Sequence, residues 1–230
     1  MEFSPLFLFQ DATLDGVEVA EKSQSFFDII MNSGLLGILI MLTLFVLSAF
    51  ALYIFIERYL TITKASEIDE AFMTNIRTSV QNSNLESAKR LCQNTDSPVA
   101  RMIEKGLIRI GKPLNDVNAA IENVGNLEII KLEKNLSTLA TISGAAPMIG
   151  FFGTVTGMIS AFYEMSTQQN VTPDVLAGGI YQALLTTAFG LFVGIIAFVG
   201  YNYLVSLVEK VIFKMEALSS EFMDLLQEPA

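Results

Sequence analysis

Histidine is absent from this chain, and cysteine occurs once, at Cys92. Those two shortages remove most of the side chains that hold transition metals or act as nucleophiles. A single thiol cannot close an internal disulfide, so Cys92 reads as a small packing residue. Basic residues are also scarce, with 14 Lys and Arg against 24 Asp and Glu and a formal charge of −10. A nucleic-acid binder needs a concentrated basic face, which excludes that class of partner. Charge of either sign is missing altogether from three long stretches, the first of them residues 29–56. Residues 137–163, STLATISGAAPMIGFFGTVTGMISAFY, run for 27 positions without Asp, Glu, Lys or Arg, and residues 175–208 hold none either. About 20 apolar residues in a helix cross a bilayer. With 52% hydrophobic residues and a mean hydropathy of +0.50, the sequence describes an all-α integral membrane protein.

Three apolar runs divide the chain. Residues 1–28 carry one Lys and six acidic residues. The short apolar run 3–9 has no basic residue before it, so it reads as an interfacial anchor rather than a signal peptide. Residues 29–56 form the first transmembrane helix, closed by Glu57 and Arg58, and its uniform bulk suits a lipid-facing role. Residues 57–136 are polar, with eleven basic and eleven acidic residues, and their periodicity is helical. The pattern predicts amphipathic helices over 65–80 and 84–93. Pro98 then opens a helix with Val99, Met102, Ile103 and Leu107 on one face, and Gly111–Lys112–Pro113 breaks it. Asn115 or Asp116 is placed to cap the next helix. Val117, Ala120, Ile121, Val124, Leu127 and Ile130 form its apolar face, and it runs into the second span, 137–163, without a stop. The result is one helix of roughly 50 residues whose inner half stands clear of the bilayer as a stalk.

Residues 164–174 make a short connection, 175–208 the third span, and 209–230 an amphipathic C-terminal helix. Thirteen of the fourteen basic residues lie in 57–136 and the tail. The bias of Lys and Arg toward the cytoplasm therefore puts the N-terminus and the 164–174 turn outside and the C-terminus inside.

Spans two and three share an unusual design. Ser143, Pro147, Gly150, Thr154, Gly157 and Ala161 recur at intervals of three and four on one face of span two. Gly179, Ala183, Thr187, Gly190, Gly194 and Ala197 do the same on span three, with Gln182 and Thr186 beside them. A lipid-facing surface gains nothing from such a stripe. Two arrangements use it: the stripes pack on each other within one subunit, or several copies turn them toward a central cavity wide enough for another helix. Proton transfer through a membrane normally takes a carboxylate or imidazole at depth, and neither span has one. Thr154 and Thr187 donate and accept hydrogen bonds but hold no charge at neutral pH. Glu164, at the outer end of span two, reads as interfacial. Any titrating group must come from another chain. No Ser–His pair, paired Asp or metal cluster supports an intramembrane enzyme, and a self-sufficient transporter would need a buried charge or a broken helix.

The run Ala146–Pro147–Met148–Ile149–Gly150–Phe151–Phe152–Gly153–Thr154–Val155–Thr156–Gly157 closely resembles the AP-x-x-G-L-x-GTV-x-G signature of the ExbB/TolQ/MotA proton-channel family. The run from Gly179 to Leu191, GIYQALLTTAFGL, resembles its second signature, GI-x-x-ALL-x-TA-x-GL. The likeness is residue by residue over about 130–208 and one of layout before that; three spans rather than four favour the ExbB/TolQ branch. It implies a homo-oligomer, a pentamer in that branch, around a central pore. The pore would hold a small single-span partner, ExbD-like or TolR-like, whose membrane Asp takes up and releases protons. It implies an inner-membrane motor that powers TonB-dependent transport, with TolQ-like envelope maintenance or a non-conducting scaffold as alternatives, and no cofactor. Thr154 and Thr187 would be the pore threonines and Pro147 would shape span two, with Gly150, Gly157, Ala183, Gln182 and Gly190 along the proton pathway. The family typically carries Glu where this chain has Gln182, so no role of that carboxylate transfers.

Overall fold

Where the chain runs apolar without interruption it is helical, because only a helix satisfies every backbone group inside lipid. The computed structural model describes residues 34–67, 69, 71–167 and 173–227, and the elements among them are all α-helices. They are α1 (Gly34–Ser66), α2 (Ala71–Gln81), α3 (Leu85–Asn94), α4 (Pro98–Ile108), α5 (Leu114–Leu132), α6 (Leu136–Thr167) and α7 (Pro173–Gln227). Among the described residues, three runs are long and apolar enough to cross a membrane: α1, α5 with α6, and α7. The proposed anchor at 3–9 and the start of the first span at 29 lie outside the described residues. α7 alone has 55 residues, a rise of about 80 Å against a hydrocarbon core of about 30 Å, so it leaves the bilayer and continues as the tail.

Local chemistry sets most helix ends. Asn84 caps α3 by accepting from the Ser87 amide at 3.1 Å, and Ser97 caps α4 by accepting from Ala100 at 3.2 Å, with Pro98 in the first turn. Gly111 provides the break after α4 with φ of +90°.

Four expectations need correction. α1 does not end at Glu57 and Arg58 but continues to Ser66, so the helix expected over 65–80 begins only at Ala71. Arg58 is buried within this helix: its guanidinium pairs with Glu57 and donates to the Lys131 carbonyl at 3.1 Å, which ties α1 to the end of α5. α5 starts at Leu114 behind Pro113, and neither Asn115 nor Asp116 caps it; Asp116 lies in the first turn, where its charge faces the helix dipole. The stalk and the second span are not one helix, because Asn135 takes φ of +64° between α5 and α6, a conformation Asn tolerates better than most residues. The buried face of α5 holds Val117, Ala120 and Ile121 as expected but shifts in its second half. Leu127 and Ile130 are exposed, while Gly125, Glu128 and Leu132 are buried.

The helical body outside the spans packs α2, α4 and α5 against the C-terminal part of α7, with α3 lying on α2 and α4. Leu204, Val208, Val211, Met215, Phe222 and Leu225 form a buried seam on α7 at intervals of three, four and seven. Phe222 reaches so close to Gly106 that a Cβ there would lie 2.6 Å from its ring. Cys92 is buried in this core, and burial, with Glu104 nearby, pushes its thiol up to about 12. A chain of charges joins the elements above it. Lys64 and Arg101 hold Asp96 at 2.8 and 2.9 Å, and Arg101 and Lys131 each hold Glu128 at 2.7 Å. Burial disfavours the Glu128 carboxylate, but the hydrogen bonds from Arg101 and Lys131 outweigh it and hold the group below its ordinary 4.5.

In the membrane, α6 and α7 run antiparallel and touch through their small residues. A Cβ on Gly190 would sit 2.7 Å from the Ala146 carbonyl oxygen and 2.8 Å from Gly150 Cα. One on Gly157 would meet Ala183 at 2.9 Å, and one on Gly179 would meet Ala161 at 2.7 Å. The two stripes therefore close on each other within the protomer. α1 covers this pair with Ile40, Leu44, Ala51 and Ile54, and leaves its other face exposed.

Two outcomes check this packing. Gly190→Val should force α6 and α7 apart and abolish a folded detergent-stable protein, while Gly178→Ala, at a site with nothing within 4 Å, should leave thermal stability unchanged. Because the Glu128 pKa is lowered in the fold, its contribution is complete above the ordinary carboxylate value and fades as pH falls through the lowered one. Glu128→Gln should therefore cost about 1–2 kcal/mol at pH 7 and flatten the loss of stability on acidification, read by thermal melts across pH.

Candidate functional site: a threonine pair between the second and third spans

Most hydroxyls in these helices turn back on their own backbone. Thr141 donates to Ser137 at 2.8 Å, Ser143 to Ala140 at 2.7 Å and Thr156 to Phe152 at 3.0 Å. Such bonds satisfy the group in lipid and leave it inert. Three threonines behave differently. Thr154 of α6 donates to the Ala183 carbonyl of α7 at 3.0 Å, and Thr187 of α7 donates to the Gly150 carbonyl of α6 at 3.0 Å. Their hydroxyl oxygens also contact each other. Thr186 donates to Ala183 at 2.7 Å and approaches the Gly150 oxygen at 3.3 Å.

Glycine makes these crossings possible. A Cβ on Gly150 would fall 2.8 Å from the Thr186 carbonyl oxygen and 3.2 Å from Thr187 Cα, and one on Gly153 would fall 2.5 Å from Thr186 Oγ1. Pro147 contributes in a second way. It has no amide hydrogen, so the Ser143 carbonyl loses its helical donor. Gly194 fits against both groups, with a Cβ position 2.5 Å from the Pro147 ring and 3.1 Å from the Ser143 oxygen.

The predicted site residues thus separate into two sets. Gly150, Ala183 and Gly190 are buried in the helix contact and present no surface of their own. Thr154, Thr187, Pro147, Gly157 and Gln182 are half-buried at its edge. Thr186 is the member that stripe reasoning set to one side. It is 6% exposed and holds the centre of the contact, and its position one turn from Ala183 beside Thr187 was the available signal.

Two hydroxyls carry two hydrogens, while the pair has two carbonyls and each other to satisfy. Oxygen lone pairs at the edge are left to accept from an outside donor, and either hydroxyl can donate to an outside acceptor by rotating. A carboxyl group in either protonation state suits such a pair. The helices add no fixed charge between residues 137 and 163 or between 175 and 208. Among the described residues, no group of His, Cys, Asp and Glu could hold a metal ion.

Similarity to known proteins falls on this part of the chain. A family model described as the MotA/TolQ/ExbB proton channel family matches residues 94–217, from the end of α3 through most of α7. The Tol-Pal system protein TolQ of Pseudomonas aeruginosa is 29% identical over 213 residues, covering 88% of this chain and 92% of that protein. TolQ of Haemophilus influenzae is 40% identical over 111 residues, 48% of this chain and 43% of its own. The biopolymer transport protein ExbB of Xanthomonas campestris is 32% identical over 108 residues, 47% of this chain and 43% of its own. The chain thus spans nearly all of one relative and under half of the other two. Three membrane-crossing runs, a hydroxyl pair joining the last two, and a family match enclosing both make this chain a multi-pass membrane protein of the MotA/TolQ/ExbB proton channel family.

Proposed function

We propose that the chain is the channel-forming subunit of a motor in the bacterial inner membrane, driven by the proton-motive force. Several copies, five by resemblance to the ExbB and TolQ branch, surround the membrane helix of an ExbD-like or TolR-like partner. The N-terminus faces the periplasm and the C-terminus the cytoplasm, which agrees with the placement of thirteen of fourteen basic residues. The observation that carries the reading is the half-buried Thr154–Thr187 pair on a membrane wall with no charge of its own. Such a wall can hydrogen-bond an acidic side chain in both its states while leaving the proton to that side chain.

Within this reading Thr154 and Thr187 contact the partner's Asp, with Pro147, Gly157 and Gln182 alongside. Gly150, Ala183 and Gly190 act from behind by letting α6 and α7 approach closely enough to pair the hydroxyls. One charge crossing 100 mV is worth about 2.3 kcal/mol, so a few protons per step suffice to move a helix past a smooth wall. The work is delivered to the outer membrane. Near-full-length similarity to a TolQ supports envelope maintenance as the task, and the shorter ExbB matches support uptake through a TonB-like protein as the second reading.

Thr154→Val and Thr187→Val keep the shape and remove the hydroxyl. Each loses its bond to the opposite carbonyl and its contact with the other hydroxyl, at about 0.6 kcal/mol apiece in a membrane, so assembly and co-purification of a small single-span protein should persist. Proton-driven work should be lost in both and retained in Thr154→Ser and Thr187→Ser. Detergent resistance of cells reads the envelope task, and uptake through an outer-membrane receptor reads the other. Full work by both Val variants would remove the pair from the mechanism.

A further inference from the structure

A groove of about 460 Å³ opens between α4, α5 and α7 in the cytoplasmic body, a size within the range of about 300–1,000 Å³ over which proteins take ligands. Its floor is thioether and glycine. Met102 and Met215 are buried, and Met102 Cε lies 3.0 Å from where a Cβ on Gly125 would stand. Ile129, Ile212 and Met223 form half-buried walls. Unbranched, polarisable methionines re-form around apolar side chains of differing shape, which suits a docking floor better than a rigid core.

The lip is acidic. Glu122 of α5 and Glu216 of α7 flank the opening together with Asn and Ser side chains, and no Lys or Arg lines it. Among the described residues neither carboxylate has an ion-pair or hydrogen-bond partner, whereas Asp96 and Glu128 are each held by two cations. Two unpaired carboxylates over an apolar floor ask for a ligand that is apolar beneath and cationic at its rim. An anionic headgroup is repelled there, and a second copy of this chain would bring a net charge of −10 to an acidic lip.

We propose that this groove docks a short basic amphipathic helix supplied by a protein partner on the cytoplasmic side. Apolar side chains spaced by three and four enter the methionine floor, and Lys or Arg on the flank reaches Glu122 and Glu216. The cytoplasmic flank of a membrane helix is a ready source, since such flanks are rich in Lys and Arg. The groove lies in the cytoplasmic body, apart from the threonine pair, so the proposal stands or falls independently of the pore reading.

The test uses the full chain in phosphatidylcholine nanodiscs with isotope-labelled methionine methyl groups. The probe is a synthetic Leu/Lys helix of about four turns, and a Leu/Glu helix of the same length is the control. The Leu/Lys peptide should shift the Met102, Met215 and Met223 methyl signals and leave empty nanodiscs unbound. Affinity should fall about tenfold in E122K/E216K and several-fold in the milder E122Q/E216Q, which serves if charge reversal impairs folding. An equal response to the Leu/Glu peptide, or undiminished affinity in the glutamine variant, overturns the proposal. Unmoved methyl signals with binding confined to lipid also overturn it, as do disulfides between copies formed through Ser219→Cys, which would show the groove covered by the chain itself.

Discussion

The structure depends on how closely two long helices approach in the membrane. α6 and α7 meet at Gly150 and Gly190 with no side chain between them, and a methyl group at either position would overlap backbone of the other helix. In lipid the hydrophobic effect gives no reason for apolar helices to associate, so contact must come from packing and from hydrogen bonds. Small residues at intervals of three and four supply the first. Thr154, Thr186 and Thr187, reaching across to carbonyls of the opposite helix, supply the second. Neither works without the other, because a donor on a long approach cannot reach and a bare glycine seam has no register.

That constraint also explains why the site is uncharged. A carboxylate in the α6–α7 seam would be buried in lipid without a partner, at a cost of several kcal/mol. The hydroxyls of the seam and the Gln182 amide at its edge offer hydrogen bonds without holding charge. Below the membrane the chemistry reverses. Charge becomes the fastener, and Lys64, Asp96, Arg101, Glu128 and Lys131 tie α1, α4 and α5 into one body beneath the spans. α7 belongs to both regions and connects them as one continuous helix from Pro173 to Gln227.

What could be read in the sequence was local. The helix start at Asn84, the opening at Pro98 and the break at Gly111 were legible because a short polar residue, a proline ring and a positive φ act within a few residues. Charge-free length marked the spans. Long-range features were not legible. The break at Asn135 was masked by the apolar periodicity on either side of it, although Asn is a poor helix former that tolerates positive φ. Hydropathy placed the buried face of α5 correctly from Val117 to Val124 and then carried it on to Leu127 and Ile130, which are exposed. The face turns instead on Glu128, whose burial depends on Arg101, 27 residues away. For the stripes, periodicity identified the residues but not what they face, because packing within a subunit and lining a cavity require the same small side chains. The contacts place the stripes against each other and leave the threonine pair at their edge.

The central claim is that this edge, rather than the stripes themselves, meets another chain's acidic helix. A density map of the purified assembly in nanodiscs tests it directly. The account predicts a central chamber with a foreign helix beside Thr154 and Thr187 of the surrounding copies, its acidic side chain at their level. Acyl chains packed against both threonines, with no chamber between copies, would contradict it.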